Sequence, residues 1–87
     1  MSKIVFTEIG FSQYVYWQGQ DKKTLKRINR LLQSISRDGV LEGEGKPEKL
    51  KHKEGEYSRR IDEKNRLVYE FSADTITVKS CMGHYED

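Results

Sequence analysis

The sequence has 87 residues and a mass of 10.2 kDa, which allows one domain with one modest core and excludes a second cofactor-binding lobe. Sixteen basic and fourteen acidic residues leave a formal net charge of +2, so net charge alone argues only weakly for a nucleic-acid partner. The one cysteine, Cys81, cannot form a disulfide within the chain or a thiolate metal site, which is typical of a reducing compartment.

The N-terminal segment carries charges at Lys3 and Glu8, and it lacks the long uncharged core of a signal peptide. No stretch of the sequence approaches the roughly twenty apolar residues that a membrane-spanning helix requires. We therefore expect residues 1–87 to form a single soluble domain in the cytoplasm, with no membrane partner.

The first predicted elements are a short strand and a helix. Residues 3–6 are β-branched in character, and Thr7 offers a helix start, so the pattern predicts a helix from Glu8 to about Gln18 that Gly19 ends. One face of this helix is expected to pack inward, and it consists of Phe11, Tyr14, Val15 and Gln18.

A second helix is predicted between the N-cap Asp21 and Gly39. Its apolar stripe consists of Leu25, Ile28, Leu32 and Ile35. The basic residues beside the stripe are Lys22, Lys23, Lys26, Arg27 and Arg30. They form either an ordinary solvated face or part of an RNA-facing surface, and the sequence does not separate these interpretations.

Residues 41–56 have no apolar periodicity, contain three glycines and the only proline, and are predicted to be an ordered loop. Pro47 restricts the backbone next to Glu48, which favours a positioned carboxylate.

The remaining residues predict a three-stranded antiparallel meander over 57–61, 66–71 and 75–80. The side chains expected to face the helices are Ile61, Leu67, Tyr69, Phe71, Ile76 and Val78. The period of two then places Arg60 and Arg66 side by side on the opposite face, which is unfavourable unless an anion lies between them.

This part of the chain contains the groups needed to cut RNA without a metal: a base for the 2′-hydroxyl, cations for the phosphate and an acid for the leaving oxygen. No zinc, EF-hand or HEXXH spacing is present, so no metal and no cofactor are expected. Each residue taken singly is also typical of a solvated surface. Arg59 and Arg60 in particular are either RNA contacts or rim charges paired with Asp62 and Glu63.

Several separated motifs resemble those of the YoeB (Txe/YoeB) toxins, which belong to bacterial toxin–antitoxin modules of the RelE/ParE superfamily. These motifs are YVYWQGQDKKTLKRIN, EGEGKPEKLKH, YSRRIDEKNRLVYEF and CMGHY, and together they run nearly end to end. The resemblance implies an α+β RelE-like microbial ribonuclease fold, in which two N-terminal helices pack on a twisted antiparallel β-sheet.

The resemblance also implies a ribosome-dependent mRNA endoribonuclease that cuts mRNA in the ribosomal A site and inhibits translation. By position in the motifs, Glu48 resembles the general base, His84 the general acid and Arg66 the phosphate-stabilising cation. Tyr85 resembles a further catalytic group. The residues that resemble substrate-binding groups are Lys51, His52, Arg59 and Arg60.

The implied partners are a YefM-like antitoxin, the bacterial ribosome with its mRNA, and operator DNA only through the antitoxin complex. A homodimer is left open. Two alternative functions also stay open: a non-catalytic inhibitor of DNA gyrase resembling ParE, and a regulatory module that binds ribosome or operator without chemistry. Neither alternative needs a base, a cation and an acid together, and the sequence has all three.

Overall fold

The computed structural model describes residues 2–84 and arranges them as two helices packed on one face of a five-stranded sheet. The elements are β1 (Lys3–Phe6), α1 (Glu8–Gln20), α2 (Lys22–Asp38), β2 (Glu48–Lys49), β3 (Glu56–Arg60), β4 (Arg66–Ser72) and β5 (Thr75–Ser80). The strand order across the sheet is β1-β5-β4-β3-β2. The predicted α+β fold is confirmed.

Two strand pairings were not predicted. β1 lies at one edge and runs parallel to β5, so the sheet is mixed, although its other pairs are antiparallel. β2 lies at the other edge, inside the segment predicted to be a loop, and pairs with β3. A strand of two residues is too short to show an alternating pattern, and the partner of β1 lies some seventy residues away along the chain.

The bounds predicted for α2 are confirmed. The carboxylate of Asp21 accepts hydrogen bonds from the backbone N–H groups of Lys23 and Thr24 at 3.0 and 3.3 Å, and Gly39 ends the helix. Three members of the predicted stripe are buried, whereas Leu25 is half-buried. The buried residues of this helix that enter the core are Ile28, Leu31, Leu32 and Ile35.

The core lies between α2 and the helix-facing side of β3, β4 and β5. The expected inward residues of the meander are buried, except that Phe71 is partly buried against the core. The strand residues in this cluster are Leu67, Tyr69, Ile76 and Val78, and Ile61, directly after β3, and Cys81, directly after β5, join them. Among residues 2–84, neither helix has the length and apolar character needed to cross a membrane.

The predicted inward face of α1 is wrong except at Tyr14, which packs partly buried against the core. Phe11 is 56% exposed and Val15 is 45% exposed, and Gln18 also lies in solvent. The helix turns Gly10, Tyr14 and Trp17 toward the rest of the protein instead, with the Trp17 indole N–H donating to the Cys81 carbonyl at 2.9 Å. Apolar residues occur on several sides of α1, so spacing alone did not select the side that packs.

We expect Gly10→Ala to lower the free energy of unfolding by about 1–3 kcal/mol, because a Cβ at residue 10 would overlap the carbonyl oxygen of Val78. Gly19→Ala on the same helix is the matched control. It has open space around its Cβ and should stabilise the protein by up to about 1 kcal/mol. Urea unfolding followed by tryptophan fluorescence measures the stability of both variants. If Gly10→Ala were as stable as the wild type, the close approach of α1 to β5 would be contradicted.

Candidate active site

The face of the sheet away from the helices carries charged side chains. Because side chains alternate along a strand, Leu67 points into the core while Arg66 points to the opposite face. Arg60 lies directly across from Arg66 in the pairing of β3 with β4, which confirms the predicted register. Two guanidinium groups therefore start from neighbouring positions on this outer face.

Glu48 lies next to Arg66 although the two residues belong to different strands. Residue 48 pairs with Ser58, and a Glu48 carboxylate oxygen is 3.7 Å from Nη2 of Arg66. The same nitrogen donates a hydrogen bond to the Ser58 hydroxyl at 3.1 Å. The Arg66 side chain is 13% exposed and that of Glu48 is 63% exposed, so the cation is held in place while the carboxylate faces solvent.

The segment that carries His84 is attached beside Arg66. The backbone N–H of Arg66 donates to the Gly83 carbonyl at 3.0 Å, and the Gly83 N–H donates to Oδ1 of Asn65 at 2.8 Å. Gly83 has φ of 86°, a left-handed conformation that favours glycine. His84 follows directly and is exposed, whereas Tyr85 lies outside the described residues.

Lys51 and His52 lie in the exposed turn that connects β2 with β3. The connection begins directly after β2, which ends at Lys49. Both residues accordingly lie within four positions of Glu48 along the chain.

The interpretation of Arg59 as a rim charge or substrate contact is wrong. Arg59 is 0% exposed, and its guanidinium donates hydrogen bonds of 2.6 to 3.3 Å to six oxygen atoms. The acceptors are the hydroxyls of Ser34 and Tyr69 and the backbone carbonyls of Gly39, Val40, Glu42 and Glu44. The alternation that places Arg60 outside also places Arg59 inside, so the signal was present in the sequence.

The buried guanidinium holds the loop that leads from α2 to Glu48. The Glu44 N–H donates to the Ser34 hydroxyl at 3.0 Å, and the Gly45 carbonyl accepts from the Arg60 N–H at 2.7 Å. Burial raises the pKa of Tyr69, and the hydrogen bond from Arg59 partly offsets that rise. Tyr69 therefore stays a neutral phenol that accepts from Arg59 and donates to the Val40 carbonyl at 2.6 Å.

Two residues of the site were not predicted, Ser58 and Asn65. Ser58 is 1% exposed beneath Arg66, but a serine in a strand gives no signal beyond its place on the outer face. In the sequence, Asn65 lies in the short connection between two predicted strands. Its contact with Gly83 spans eighteen positions of the sequence, so no local pattern could reveal it.

The basic residues of α2 lie away from the Glu48–Arg66 pair. Four of them, Lys23, Lys26, Arg27 and Arg30, border a cleft of about 550 Å³ together with Ile61 and Asp62, and neither Glu48 nor Arg66 lines it. Arg27 and Arg30 are ion-paired there with the Glu44 carboxylate, at 3.5 and 2.5 Å. In residues 2–84, no group of three or more histidine, cysteine, aspartate or glutamate side chains could hold a metal ion.

Comparison with known proteins supplies the family. The family model for the YoeB-like toxin of bacterial type II toxin-antitoxin system matches residues 6–85. The chain belongs to the YoeB toxin family. Toxin YoeB of Escherichia coli (strain K12) is 43% identical over 84 residues, which cover 95% of this chain and 99% of the relative. Toxin YoeB of Synechocystis sp. is 46% identical over 85 residues, which cover 97% and 98%.

Solved structures of YoeB proteins share the fold throughout. A YoeB dimer from Staphylococcus aureus has a TM-score of 0.91 and 49% identity, covering 97% of this chain and 98% of that one. A YoeB-YefM complex from the same organism has a TM-score of 0.89 and 49% identity, covering 98% and 99%. The family resemblance inferred from the motifs is confirmed.

We expect Arg59→Lys to lower the free energy of unfolding by about 3 kcal/mol, because an ammonium group cannot satisfy six acceptors arranged around a planar guanidinium. Arg60→Lys, at the adjacent exposed position, should change it by less than about 0.5 kcal/mol. Chemical denaturation measures both variants. Similar losses at the two positions would contradict the structural role assigned to Arg59.

The Cys81 thiol should react slowly in the folded protein. Burial raises its pKa from the ordinary 9.0 to about 11, so at pH 8 the thiolate fraction falls roughly a hundredfold. Iodoacetamide labelling followed by mass spectrometry should therefore be at least a hundredfold slower in buffer than in 8 M urea. Equal labelling rates would show that Cys81 is not in the core.

Proposed function

We propose that this YoeB-family protein is a ribosome-dependent endoribonuclease that cuts mRNA in the A site by metal-free acid–base catalysis and so inhibits translation. The observation that carries the proposal is the approach of Glu48 to Arg66, beside the Gly83–His84 segment. The Glu48 carboxylate and the Arg66 guanidinium lie on the side of the sheet away from the helices, and the segment bearing an imidazole is hydrogen-bonded to the Arg66 backbone. These are the three kinds of group that transfer of a phosphodiester to its neighbouring 2′-oxygen requires.

The proposed reaction assigns one step to each group. Glu48 removes the proton from the 2′-hydroxyl, and the 2′-oxygen attacks phosphorus. Arg66 neutralises the negative charge that builds on the non-bridging oxygens. The bond from phosphorus to the 5′-oxygen breaks as His84 donates a proton to that oxygen, which leaves a 2′,3′-cyclic phosphate and a free 5′-hydroxyl.

The geometry of Glu48 and Arg66 suits an exchange of partners. Their ion pair is long, at 3.7 Å, and Glu48 is mostly exposed, so the pair contributes little to stability and is readily displaced. A phosphate that enters would take Arg66 as its partner and release the carboxylate to act as a base. The Ser58 hydroxyl keeps the guanidinium in place during this exchange.

Further basic residues lie across the sheet from Arg66 or close to Glu48 in the chain. Arg60 lies across from Arg66, and a phosphate between them would relieve the repulsion of the two like charges. Lys51 and His52, in the turn after β2, are proposed to contact flanking RNA. Tyr85 is proposed to support the reaction next to His84.

The proposed partners follow from the relatives. In S. aureus, YoeB has been solved both as a dimer and in complex with YefM. We propose a YefM-like antitoxin as the partner that inhibits this protein, with operator DNA reached only through that complex. We also propose that the protein forms a homodimer, binds the ribosome with its mRNA and is located in the cytoplasm.

Primer extension on mRNA bound to programmed ribosomes tests the function. Wild-type protein should produce a discrete cut in the A-site codon. Glu48→Gln, Arg66→Lys and His84→Gln should each reduce its rate by about 10²–10⁴-fold, the range for a lost acid, base or charge-stabilising group. Glu63→Gln, in the exposed β3–β4 turn, is the control and should cut at the wild-type rate.

The chemical group at the 3′ end of the upstream RNA fragment tests the mechanism separately. Attack by the 2′-hydroxyl should leave a 2′,3′-cyclic phosphate, which mass spectrometry identifies. A terminal 3′-hydroxyl would contradict the reaction proposed for Glu48. Inhibition of gyrase supercoiling without any mRNA cleavage would replace the nuclease proposal with the ParE-like alternative.

A further inference from the structure

The turn between β3 and β4 is organised around one carboxylate. Oδ1 of Asp62 accepts hydrogen bonds from the backbone N–H groups of Lys64 and Asn65, both at 2.8 Å. Its two oxygens also accept from the side-chain amide nitrogen of Asn65, at 3.2 and 3.1 Å. Burial would by itself raise the pKa of Asp62, but these hydrogen bonds hold it below the usual value, so the acceptor remains charged at neutral pH.

The Asp62 contact determines the orientation of the Asn65 amide. With Nδ2 donating to Asp62, Oδ1 is left as an acceptor on the other side of the amide group, and it receives the Gly83 N–H at 2.8 Å. A flipped amide would place Oδ1 against the Asp62 carboxylate and Nδ2 against the Gly83 N–H, which are both unfavourable pairings. The orientation is therefore dictated by its two neighbours.

Both polar backbone groups of Gly83 are held by consecutive residues. Asn65 accepts from the Gly83 N–H, and the Arg66 N–H donates to the Gly83 carbonyl at 3.0 Å. His84 is the next residue. The dipeptide that carries the proposed phosphate-binding cation therefore also attaches the segment that carries the proposed acid.

We propose that Asp62 and Asn65 form a positioning pair that keeps His84 beside Arg66. The inference rests on the proposed function, because it gives His84 a reaction to perform. An imidazole on an unattached segment would seldom lie within reach of a leaving oxygen. Attachment of Gly83 removes that freedom before substrate binds, which is how oriented groups accelerate reactions.

A purely structural role would look different. Asp62 supports the turn through the backbone N–H groups, whereas Asn65 reaches Gly83 through a side-chain oxygen that the turn itself does not use. Removing only the Asn65 side chain therefore separates the two roles. The Asp62 hydrogen bonds to the backbone remain, as does the bond from the Arg66 N–H to the Gly83 carbonyl, and only the bond from the Gly83 N–H to the Asn65 side chain is lost.

The experiment compares wild type with Asn65→Ala by amide hydrogen exchange, ¹⁵N relaxation and single-turnover cleavage on programmed ribosomes. In Asn65→Ala, the Gly83 amide should exchange at least tenfold faster and His84 should become mobile on the nanosecond timescale. The cleavage rate at saturating ribosomes should fall tenfold to a hundredfold, with little change in the half-saturating concentration. Glu63→Gln, in the same turn, should match wild type in all three measurements.

Exchanging the side chains of residues 62 and 65 should restore the activity that a single substitution removes. Asn65→Asp alone places two carboxylates against each other and should impair cleavage. The double variant Asp62→Asn/Asn65→Asp restores a single charge, an amide donor toward residue 65 and an acceptor for the Gly83 N–H. It should recover most of the activity and the protection of Gly83, which a general loss of stability would not do.

The outcomes separate this inference from the proposed function. If wild type cuts and Asn65→Ala cuts equally well, the positioning role is overturned and the nuclease remains. Undiminished protection of the Gly83 amide in Asn65→Ala would also overturn it. If wild type does not cut, the proposed function fails, and with it the role given to His84.

Discussion

The buried guanidinium of Arg59 is the interaction on which the rest of the structure depends. Residues 39–45 join α2 to the edge of the sheet without forming a helix or a strand, and of their carbonyl groups those of Gly39 and Gly45 accept from backbone N–H groups. Buried carbonyls without donors are costly, and Arg59 supplies donors to four of them from inside the core. No buried side-chain nitrogen or oxygen in the described part of the chain lacks a partner. The loop is thereby held where it delivers Glu48 to β3.

Side chains alternate between the two faces of the sheet, and this alternation separates the buried Arg59 from Arg60 and Arg66 on the outer face. Arg59 faces the helices and satisfies backbone groups, whereas Arg60 and Arg66 lie on the opposite side of the sheet. Glu48 approaches Arg66 on that outer face, and the Gly83–His84 segment is attached at the first residue of β4. A small domain therefore provides both a satisfied core and a charged outer face from one sheet. This division is what a nuclease of the proposed kind requires.

The outer surface of α1 is apolar and exposed, and it belongs neither to the core nor to the charged face of the sheet. Ile9 is 64% exposed and Phe11 56%, on the side of the helix away from the core. The helix is held by Tyr14, whose hydroxyl donates to Asn29 at 2.7 Å, and by Trp17. Its packing thus depends on a few specific hydrogen bonds and on the close approach at Gly10, and not on an apolar stripe.

The sequence by itself determined the elements whose signals are local: the caps and stripe of α2, the three long strands, and the register of Arg60 with Arg66 across a short turn. The motifs also determined the family. Only the tertiary structure decided the inward side of α1, the parallel pairing of β1, the burial of Arg59, and the approach of Glu48 and Gly83 to Arg66. The physical reason is that periodicity and capping act within a few residues, whereas these contacts join segments far apart in the chain. Their free energy exists only once the whole sheet has formed.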